Sequence, residues 1–228
     1  MPTEFVRARR PEHKQQRREA ILAAARDLAL RRGIRAITLG DLAEAVGLAK
    51  SNVVRYFGTR EEIFVELCSE EGFRLRDALL PQFEDVTEET LPRVLAGTLM
   101  EHELFCELLS QLTTHLEHNV SYPAAERLKV TSTVIVDELA RAVAGRPVGL
   151  DVDQATLLLT ATSLIGAGLW SASRPSDVVL QVYAAHPEIV PSGSVQATLE
   201  RLVTALAAGL RAEPPMSATG AARHTVKA

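Results

Sequence analysis

Four side chains that can contact nucleic acid lie close together in the segment 50–55. They are Lys50, Ser51, Asn52 and Arg55. An asparagine amide can form two hydrogen bonds with adenine, and a lysine can reach the acceptors of guanine, each contributing about 1–3 kcal/mol of base discrimination. Arginine suits phosphate oxygens. These residue types predict contacts with DNA, and a solvated helix face without a ligand is the alternative.

Two short helices joined at a glycine are predicted to position these side chains. Thr38 is a candidate N-cap, and Asp41 three residues later completes a Thr-x-x-Asp capping box. Gly47 supplies the left-handed conformation that ends the first helix, and the second helix runs to Phe57. The segment 38–57 therefore has the form of a helix-turn-helix, whose second helix enters the major groove with its N-terminal residues facing the bases.

Three further side chains are candidates for phosphate contacts. Tyr56 ends the second helix, and Arg60 begins the next one, where an arginine is poorly placed for the helix dipole but well placed for a phosphate. Thr38 can donate to a phosphate as well as cap its helix, and capping alone explains it equally well. The predicted DNA-binding set is Thr38, Lys50, Ser51, Asn52, Arg55, Tyr56 and Arg60.

The charge distribution supports a partner that carries phosphates. The whole chain has a net charge of −4. Residues 1–60 hold 13 Lys and Arg against 6 Asp and Glu, which is +7, so residues 61–228 carry −11. Positive charge is concentrated where the helix-turn-helix lies, as phosphate neutralisation requires. Arg7, Arg9 and Arg10 could enter a flanking minor groove, and a solubilising tail is an equally good interpretation.

Composition excludes several other classes of protein. No apolar run reaches the roughly 18 residues that span a bilayer, and the Arg-rich N-terminus lacks the apolar core of a secretory signal. Cys68 and Cys106 lie in apolar helical patterns, which favours buried reduced thiols over a disulfide or redox sensor. A cytoplasmic protein without a membrane partner is therefore predicted.

Apolar spacing along the whole chain is helical, which predicts an all-α fold. Helices are expected over 14–32, 60–80, 91–117, 123–144, 151–173 and 194–210, with a short helix in 178–193. The predicted domains are a flexible basic arm (1–14), a three-helix helix-turn-helix domain (15–75), a helical ligand-binding and dimerisation domain (76–212) and a disordered tail (213–228).

About sixty residues, from Gln15 to Leu75, resemble the tetracycline-repressor (TetR) family of bacterial transcription regulators. The matching residues are Arg18-x-x-Ile21-Leu22-x-Ala24-Ala25, Gly33, Thr38-x-x-x-Leu42-Ala43-x-x-Val46-Gly47, Tyr56-Phe57 and Glu61-x-Ile63-Phe64. The rest of the chain is similar to the family only in its layout of several long helices.

The resemblance implies an all-helical homodimer that binds a DNA operator. Its larger C-terminal domain would bind a small effector, which would change the spacing of the two recognition helices and release DNA. Two positions depart from the family pattern. Ala49 stands where a serine commonly caps the recognition helix, a loss of roughly 1 kcal/mol, and Val54 stands where a tyrosine often reaches a phosphate.

An effector pocket is predicted from one helical face. Leu108, Leu112, His115 and Asn119 share that face, and the two polar groups are candidates for orienting a ligand or for satisfied core groups. Met100, Phe105 and Trp170 are further candidates for the lining, although such residues often belong to a core. His102, His115 and His118 with nearby glutamates would permit a metal sensor, but the ligand set is looser than in zinc sites, so neither a metal nor a cofactor is predicted.

The segment 151–173 is rich in small residues, which permit close contact between helices. With Leu199, Leu202, Val203, Leu206 and Leu210 it would suit an intersubunit four-helix bundle, and an intramolecular core is the competing account. A DNA-binding protein favours the dimer, because two recognition helices about 34 Å apart match successive major-groove faces.

The leading functional hypothesis is a ligand-responsive transcriptional repressor that binds a palindromic operator. A helical enzyme or small-molecule carrier whose N-terminal unit has lost DNA binding is the alternative. It would need a catalytic constellation, and the sequence contains no Gly-rich phosphate loop, nucleophile elbow or metal triad. No catalytic residues are therefore predicted. An activator, or a regulator gated by a protein partner, is the third hypothesis.

Overall fold

The structure, a computed structural model, describes residues 5–112 and 114–213. Over these residues it contains ten α-helices and no β-strand, which confirms the all-α prediction. The predicted tail lies outside the described residues from position 214 onward. The helices are α1 (Phe5–Arg32), α2 (Leu39–Ala45), α3 (Lys50–Tyr56), α4 (Arg60–Gln82), α5 (Leu91–Glu101), α6 (Glu103–Leu112), α7 (Tyr122–Ala144), α8 (Val152–Ala172), α9 (Asp177–Ala185) and α10 (Val195–Ala212).

The predicted local signals at the helix-turn-helix are confirmed. The Thr38 hydroxyl accepts the Asp41 N–H, and the Asp41 carboxylate accepts the Thr38 N–H, so the capping box is complete. Gly47 has φ 64°, and the Leu48 N–H donates to the Ala43 carbonyl at 2.9 Å, closing the turn after α2. Ala49 is the residue before α3 and forms no side-chain cap, because alanine has no hydrogen-bond acceptor in its side chain.

Three helix boundaries differ from the prediction. α1 begins at Phe5 rather than near residue 14, so most of the predicted flexible arm is helical, in keeping with its Arg, Glu and Lys residues, which are good helix formers. α4 continues through Pro81, which lies in the last turn where it disturbs few hydrogen bonds. The expected helix over 91–117 is interrupted at His102, whose ψ of 61° is not helical, and it ends before a short 3-10 helix, Leu116–Asn119.

The buried side chains form two hydrophobic cores that share α4. The N-terminal core joins α1, α2 and α3 with the first half of α4, through Ile63, Phe64 and Leu67, and with one face of α6. The C-terminal core joins the second half of α4, through Leu75 and Leu79, with α5, α7, α8 and α10. The predicted boundary after residue 75 thus falls inside a continuous helix, which connects the two parts mechanically.

The structure confirms the intramolecular account of the small-residue segment, and it leaves a second face of the same helices uncovered, so the intersubunit account stays a prediction. On α10, Leu199, Val203 and Leu210 are buried in the subunit's own core, whereas Leu202 is 41% exposed. On α8, Gly166 approaches Leu99 so closely that an added Cβ would lie 2.5 Å from its Cδ2. The segment therefore supplies the intramolecular core and also leaves a second, exposed face.

α8 is long and apolar enough to cross a membrane by length and composition, with a mean hydropathy of 1.4 over its most apolar window. This corrects the prediction that no segment reaches that threshold. A helix in the core of a water-soluble domain passes the same test. Here the side chains of Ala155, Leu158 and Leu159 are buried against neighbouring helices.

Candidate DNA interface and effector cavity

The structure places the three predicted base contacts and the predicted phosphate contact of α3 on one exposed face of that helix. Lys50, Ser51, Asn52 and Arg55 are all exposed. On the opposite side of α3, Val53 is fully buried in the N-terminal core and anchors the helix. Four polar or basic side chains on a firmly anchored helix can enter a groove without uncovering the core.

The end of α3 is held by Arg18, a residue that the sequence analysis did not single out for a role. The Arg18 guanidinium donates to the Tyr56 carbonyl, pairs with Glu66 of α4 and lies over the Phe57 ring, 4.1 Å from its centroid. Arg18 thus joins α1, α3 and α4. The matched family motif begins at this arginine, which was the available signal.

Tyr56 and Thr38 take positions that bear on their predicted phosphate contacts. Tyr56 is partly buried and packs against the N-terminal core. The Thr38 hydroxyl is exposed, but it donates to the Asp41 carboxylate at 2.5 Å and so lowers the pKa of Asp41. Because its proton is engaged, capping is the role that the geometry supports for Thr38, and a phosphate could reach it only by replacing that bond.

Arg60 faces inward, which corrects its assignment as a phosphate contact. Its Nε donates to the Ile37 carbonyl at 2.5 Å, an Nη donates to the Ile34 carbonyl, and the other Nη pairs with Glu61 at 3.0 Å. The guanidinium also lies 4.8 Å from the centre of the Phe64 ring. Arg60 therefore satisfies backbone carbonyls of the loop before α2, where a protein ligand replaces the expected DNA ligand.

Replacing Arg60 with alanine is expected to lower the free energy of unfolding by about 1–3 kcal/mol, because two carbonyls lose a charged donor. Urea unfolding followed by circular dichroism measures this. Arg35→Ala is the control in the same loop, since Arg35 is exposed, and its effect should stay within about 0.5 kcal/mol. Equal unfolding midpoints for the two variants would contradict the structural role of Arg60.

A separate, largely apolar cavity of about 290 Å³ lies between α4, α6, α7 and α8, with α5 contributing to its wall. Of the predicted pocket residues, Phe105 and Leu112 line it. The pocket prediction is not supported for the other five. Met100 and Trp170 pack with the C-terminal core, Leu108 is fully buried in the N-terminal core, and His115 and Asn119 line a different cleft.

The predicted pocket residues do not converge on the cavity because the helix breaks at His102 and α6 ends at Leu112. Residues 108–119 do not form one helix, so positions that share a face on an uninterrupted helix diverge. Asn119 instead ties the 3-10 segment to α4. Its carbonyl accepts the Thr59 hydroxyl at 2.8 Å, and its amide donates to Glu61 at 3.0 Å.

The polar groups of the cavity come from several helices and were not predicted. Hydroxyls are contributed by Ser69, Ser132, Thr160 and Ser163. One ion pair is also part of the lining, with Lys129 Nζ lying 2.6 Å from a Glu117 oxygen. An apolar cavity with a few hydroxyls and one charged pair suits a ligand that is mostly hydrocarbon and polar at one end.

The two cysteines are unpaired and buried, as predicted for reduced thiols. Cys68 lies in the cavity wall, and Cys106 donates to the Leu99 carbonyl at 3.2 Å. Burial raises the pKa of each thiol to about 12. Since the thiolate is the reactive form, both side chains behave as small apolar groups near neutral pH.

An anchored helix-turn-helix with an exposed polar face, attached through α4 to a helical domain with a cavity, defines a DNA-binding regulator with a regulatory domain. Residues 73–214 match the tetracyclin repressor-like C-terminal domain, and residues 21–67 match the domain of bacterial regulatory proteins of the tetR family. The chain belongs to the TetR family and is a DNA-binding transcriptional regulator.

Similar proteins agree with this assignment. The HTH-type transcriptional regulator YfiR of Bacillus subtilis (strain 168) is 36% identical over 69 residues. That match covers 29% of this chain and 34% of YfiR, so the chain aligns with about a third of this relative's length.

Two solved structures show the same fold across nearly their full lengths. The fatty acid degradation regulator FadR from Bacillus halodurans has a TM-score of 0.55 at 16% identity, covering 85% of this chain and 96% of its own. FadR from Thermus thermophilus, a TetR-family repressor in complex with lauroyl-CoA, has a TM-score of 0.54 at 16% identity, covering 89% of this chain and 100% of its own.

Proposed function

We propose that this chain is a small-molecule-responsive repressor that binds a palindromic operator as a homodimer in the cytoplasm. The observation that carries the proposal is the position of α4. Its first half packs in the core of the DNA-binding unit, while Cys68, Ser69 and Gly72 on the same helix line the cavity. The alternative of a carrier or enzyme is not favoured, because membership of a regulator family supports the DNA-binding role.

Ion pairs between α1 and α4 support a transfer of movement from the cavity to the DNA-binding unit. Arg26 of α1 pairs with Glu70 at 2.8 Å and with the buried Glu71 at 2.7 Å. Glu71 lies between the cavity-lining residues Ser69 and Gly72 in sequence. A ligand that shifts this part of α4 would therefore move α1, and with it α3, which Arg18 connects to both helices.

An exposed face on α8 and α10 supports the homodimer. On α8, Leu157 and Leu164 are 53% and 57% exposed, and a Cβ added at Gly168 would meet no atom within 4 Å. On α10, Leu202 is exposed and Gly209 is equally open. Apolar side chains beside uncovered glycines allow close packing of helices from a second copy, which would complete a four-helix bundle.

The effector proposed for the cavity is a mostly hydrocarbon molecule with one polar end. Its support is the apolar lining, the volume of about 290 Å³ and the ion pair between Glu117 and Lys129. This volume is near the lower end of the range for small-molecule sites, about 300–1,000 Å³. The neighbouring Thermus thermophilus repressor binds lauroyl-CoA, which is consistent with an acyl chain in this cavity.

The function is tested by fluorescence anisotropy with DNA fragments that flank the chain's own coding region, followed by footprinting. A protected palindrome is expected, and dodecanoate or lauroyl-CoA should lower the affinity while raising the thermal midpoint of the free protein. Absence of protection at low salt would contradict operator binding. Protection that neither compound changes, with no thermal shift, would contradict only the proposed effector class.

Base reading by α3 makes a separate prediction. Asn52→Ala should reduce discrimination at one base pair of each half-site by about 1–3 kcal/mol, because a bidentate amide contact is lost. Arg55→Ala is the comparison, and it should weaken binding to all sequences and reduce the salt slope by about 1. Competition titrations with single-base operator variants measure both effects. An equal loss of discrimination in the two variants would contradict this division of roles.

A further inference from the structure

The apolar cavity has a charged end and a hydrocarbon end. Lys129 of α7 and Glu117 of the 3-10 helix line it, and they directly follow Leu128 and Leu116, which are buried in the N-terminal core. The lining also includes four leucines of the C-terminal core, namely Leu75, Leu79, Leu95 and Leu139. The cavity therefore extends from an ion pair beside the DNA-binding unit to a hydrocarbon wall in the C-terminal domain.

The ion pair has one constrained member and one movable member. The Glu117 side chain is 25% exposed, and its segment is held by Asn119, which forms hydrogen bonds with the start of α4. The Lys129 side chain is 63% exposed, and its ammonium group ends a long, flexible stem. Lys129 can therefore turn from Glu117 toward a ligand in the cavity, whereas Glu117 is limited by its segment.

The hydrogen-bonding capacity at the charged end favours a ligand whose head accepts hydrogen bonds. An ammonium group has three N–H donors, and within the described part of the chain Lys129 donates to Glu117 alone, at 2.6 Å. The hydroxyls of Ser132 and Ser69 already donate to backbone carbonyls of their own helices, at 2.8 and 3.4 Å. Lys129 thus has charged donors to spare at this end.

A cationic head would find less support in the same lining. Aromatic faces are the groups that attract cations in apolar sites, and Phe105 is the single aromatic residue among the described residues of the lining. A cation would also have to replace Lys129 at Glu117, the one carboxylate in that set of residues. The lining therefore suits an anionic head better than a cationic one.

We propose that the cavity selects an amphiphile with a carboxylate head, which Lys129 binds, while the leucines of the C-terminal core enclose the hydrocarbon tail. This inference rests on the proposed function, because it takes the apolar cavity to be the effector site. The Lys129 ammonium turns to the ligand and shares or gives up its bond with Glu117. Charge-assisted hydrogen bonds then hold the head, and they make Lys129 the residue that decides which head group is preferred.

The test measures binding to the full chain without DNA, so its outcome does not depend on operator recognition. The ligands are dodecanoate, dodecanol and dodecyltrimethylammonium, which share a hydrocarbon chain and differ in the charge of the head. Each is kept below its micelle or solubility limit, with isothermal calorimetry and the thermal midpoint as readouts. The wild type should bind dodecanoate at least about tenfold more tightly than the other two, because a charge-assisted bond holds that head alone.

Two substitutions of the ion pair should shift the affinity for dodecanoate in opposite directions. Lys129→Gln should weaken it about tenfold or more and leave dodecanol nearly unchanged, a difference that a purely structural role of Lys129 would not produce. Glu117→Gln should strengthen it several-fold, because Lys129 loses a competing carboxylate. Arg141→Gln is the matched control, since Arg141 is a 67% exposed cation of α7 that pairs with Asp137 at 2.9 Å and does not line the cavity.

Three results would overturn the inference while leaving a hydrocarbon effector in the cavity. They are equal affinities of the wild type for dodecanoate and dodecanol, tighter binding of the cationic ligand, and equal losses for both dodecanoate and dodecanol in Lys129→Gln. If none of the three ligands binds, the proposed effector class is wrong together with the inference. Should Lys129→Gln not fold by circular dichroism, an unchanged affinity of Glu117→Gln for dodecanoate would by itself contradict the role of Lys129.

Discussion

Leu157→Glu is expected to convert the protein from a dimer to a monomer and to weaken operator binding by roughly 10²–10⁴-fold, because linkage of two half-site contacts is lost. Leu157 is 53% exposed on α8 and does not line the cavity, so the subunit itself should fold normally. A buried, unpaired carboxylate at the proposed interface is strongly unfavourable. Light scattering and anisotropy measure the two effects.

A second substitution tests the same proposed dimer interface independently of Leu157→Glu. At Gly209 on α10 an added side chain meets nothing within 4 Å of the Cβ position in the subunit. Gly209→Arg should therefore leave the monomer fold intact and clash only with a second copy. Val130→Glu on α7 is the matched control, since Val130 is 58% exposed outside this face. A dimer of normal affinity in both Leu157→Glu and Gly209→Arg would refute the proposed interface.

Ser163→Trp is expected to abolish the response to effector while leaving operator affinity within about threefold of the wild type. Ser163 is half-buried on α8 and lines the cavity of about 290 Å³, so an indole ring there would occupy much of the ligand volume. The cost in stability should remain about 1–3 kcal/mol, as for other insertions into packed sites. Anisotropy titrations with dodecanoate or lauroyl-CoA measure the loss of response.

The control for this variant is Thr133→Trp, which adds the same side chain to an exposed position of α7 that does not line the cavity. It should retain the full effector response. If Ser163→Trp still released DNA at the wild-type effector concentration, the cavity would not be the effector site. If it failed to bind DNA at all while remaining folded, the expectation that filling the cavity leaves operator affinity unchanged would be wrong.

The DNA-facing part could be predicted because its determinants are local. Thr38, Asp41 and Gly47 define helix ends through contacts within a few residues, and the spacing of Val53 and Phe57 decides which side of α3 is buried. The exposed group of Lys50, Ser51, Asn52 and Arg55 follows from that orientation alone. Contacts with residues far away in the sequence do not enter that prediction.

The positions of Arg60 and of the predicted pocket residues depend on contacts between segments that are distant in the sequence, so local patterns could not predict them. Arg60 reaches the carbonyls of Ile34 and Ile37, partners that no local spacing reveals. The end of α6 at Leu112 separates His115 and Asn119 from the helix face that Leu108 and Leu112 share.

By itself, the sequence therefore determined the all-helical class, the family and the exposed polar face of α3, because periodicity, capping and turn chemistry act over short distances. Only the tertiary structure decided which side chains enclose the apolar cavity and which faces of α8 and α10 stay uncovered. Those properties depend on how the helices pack against one another, and packing brings together residues whose separation in the chain carries no periodic signal.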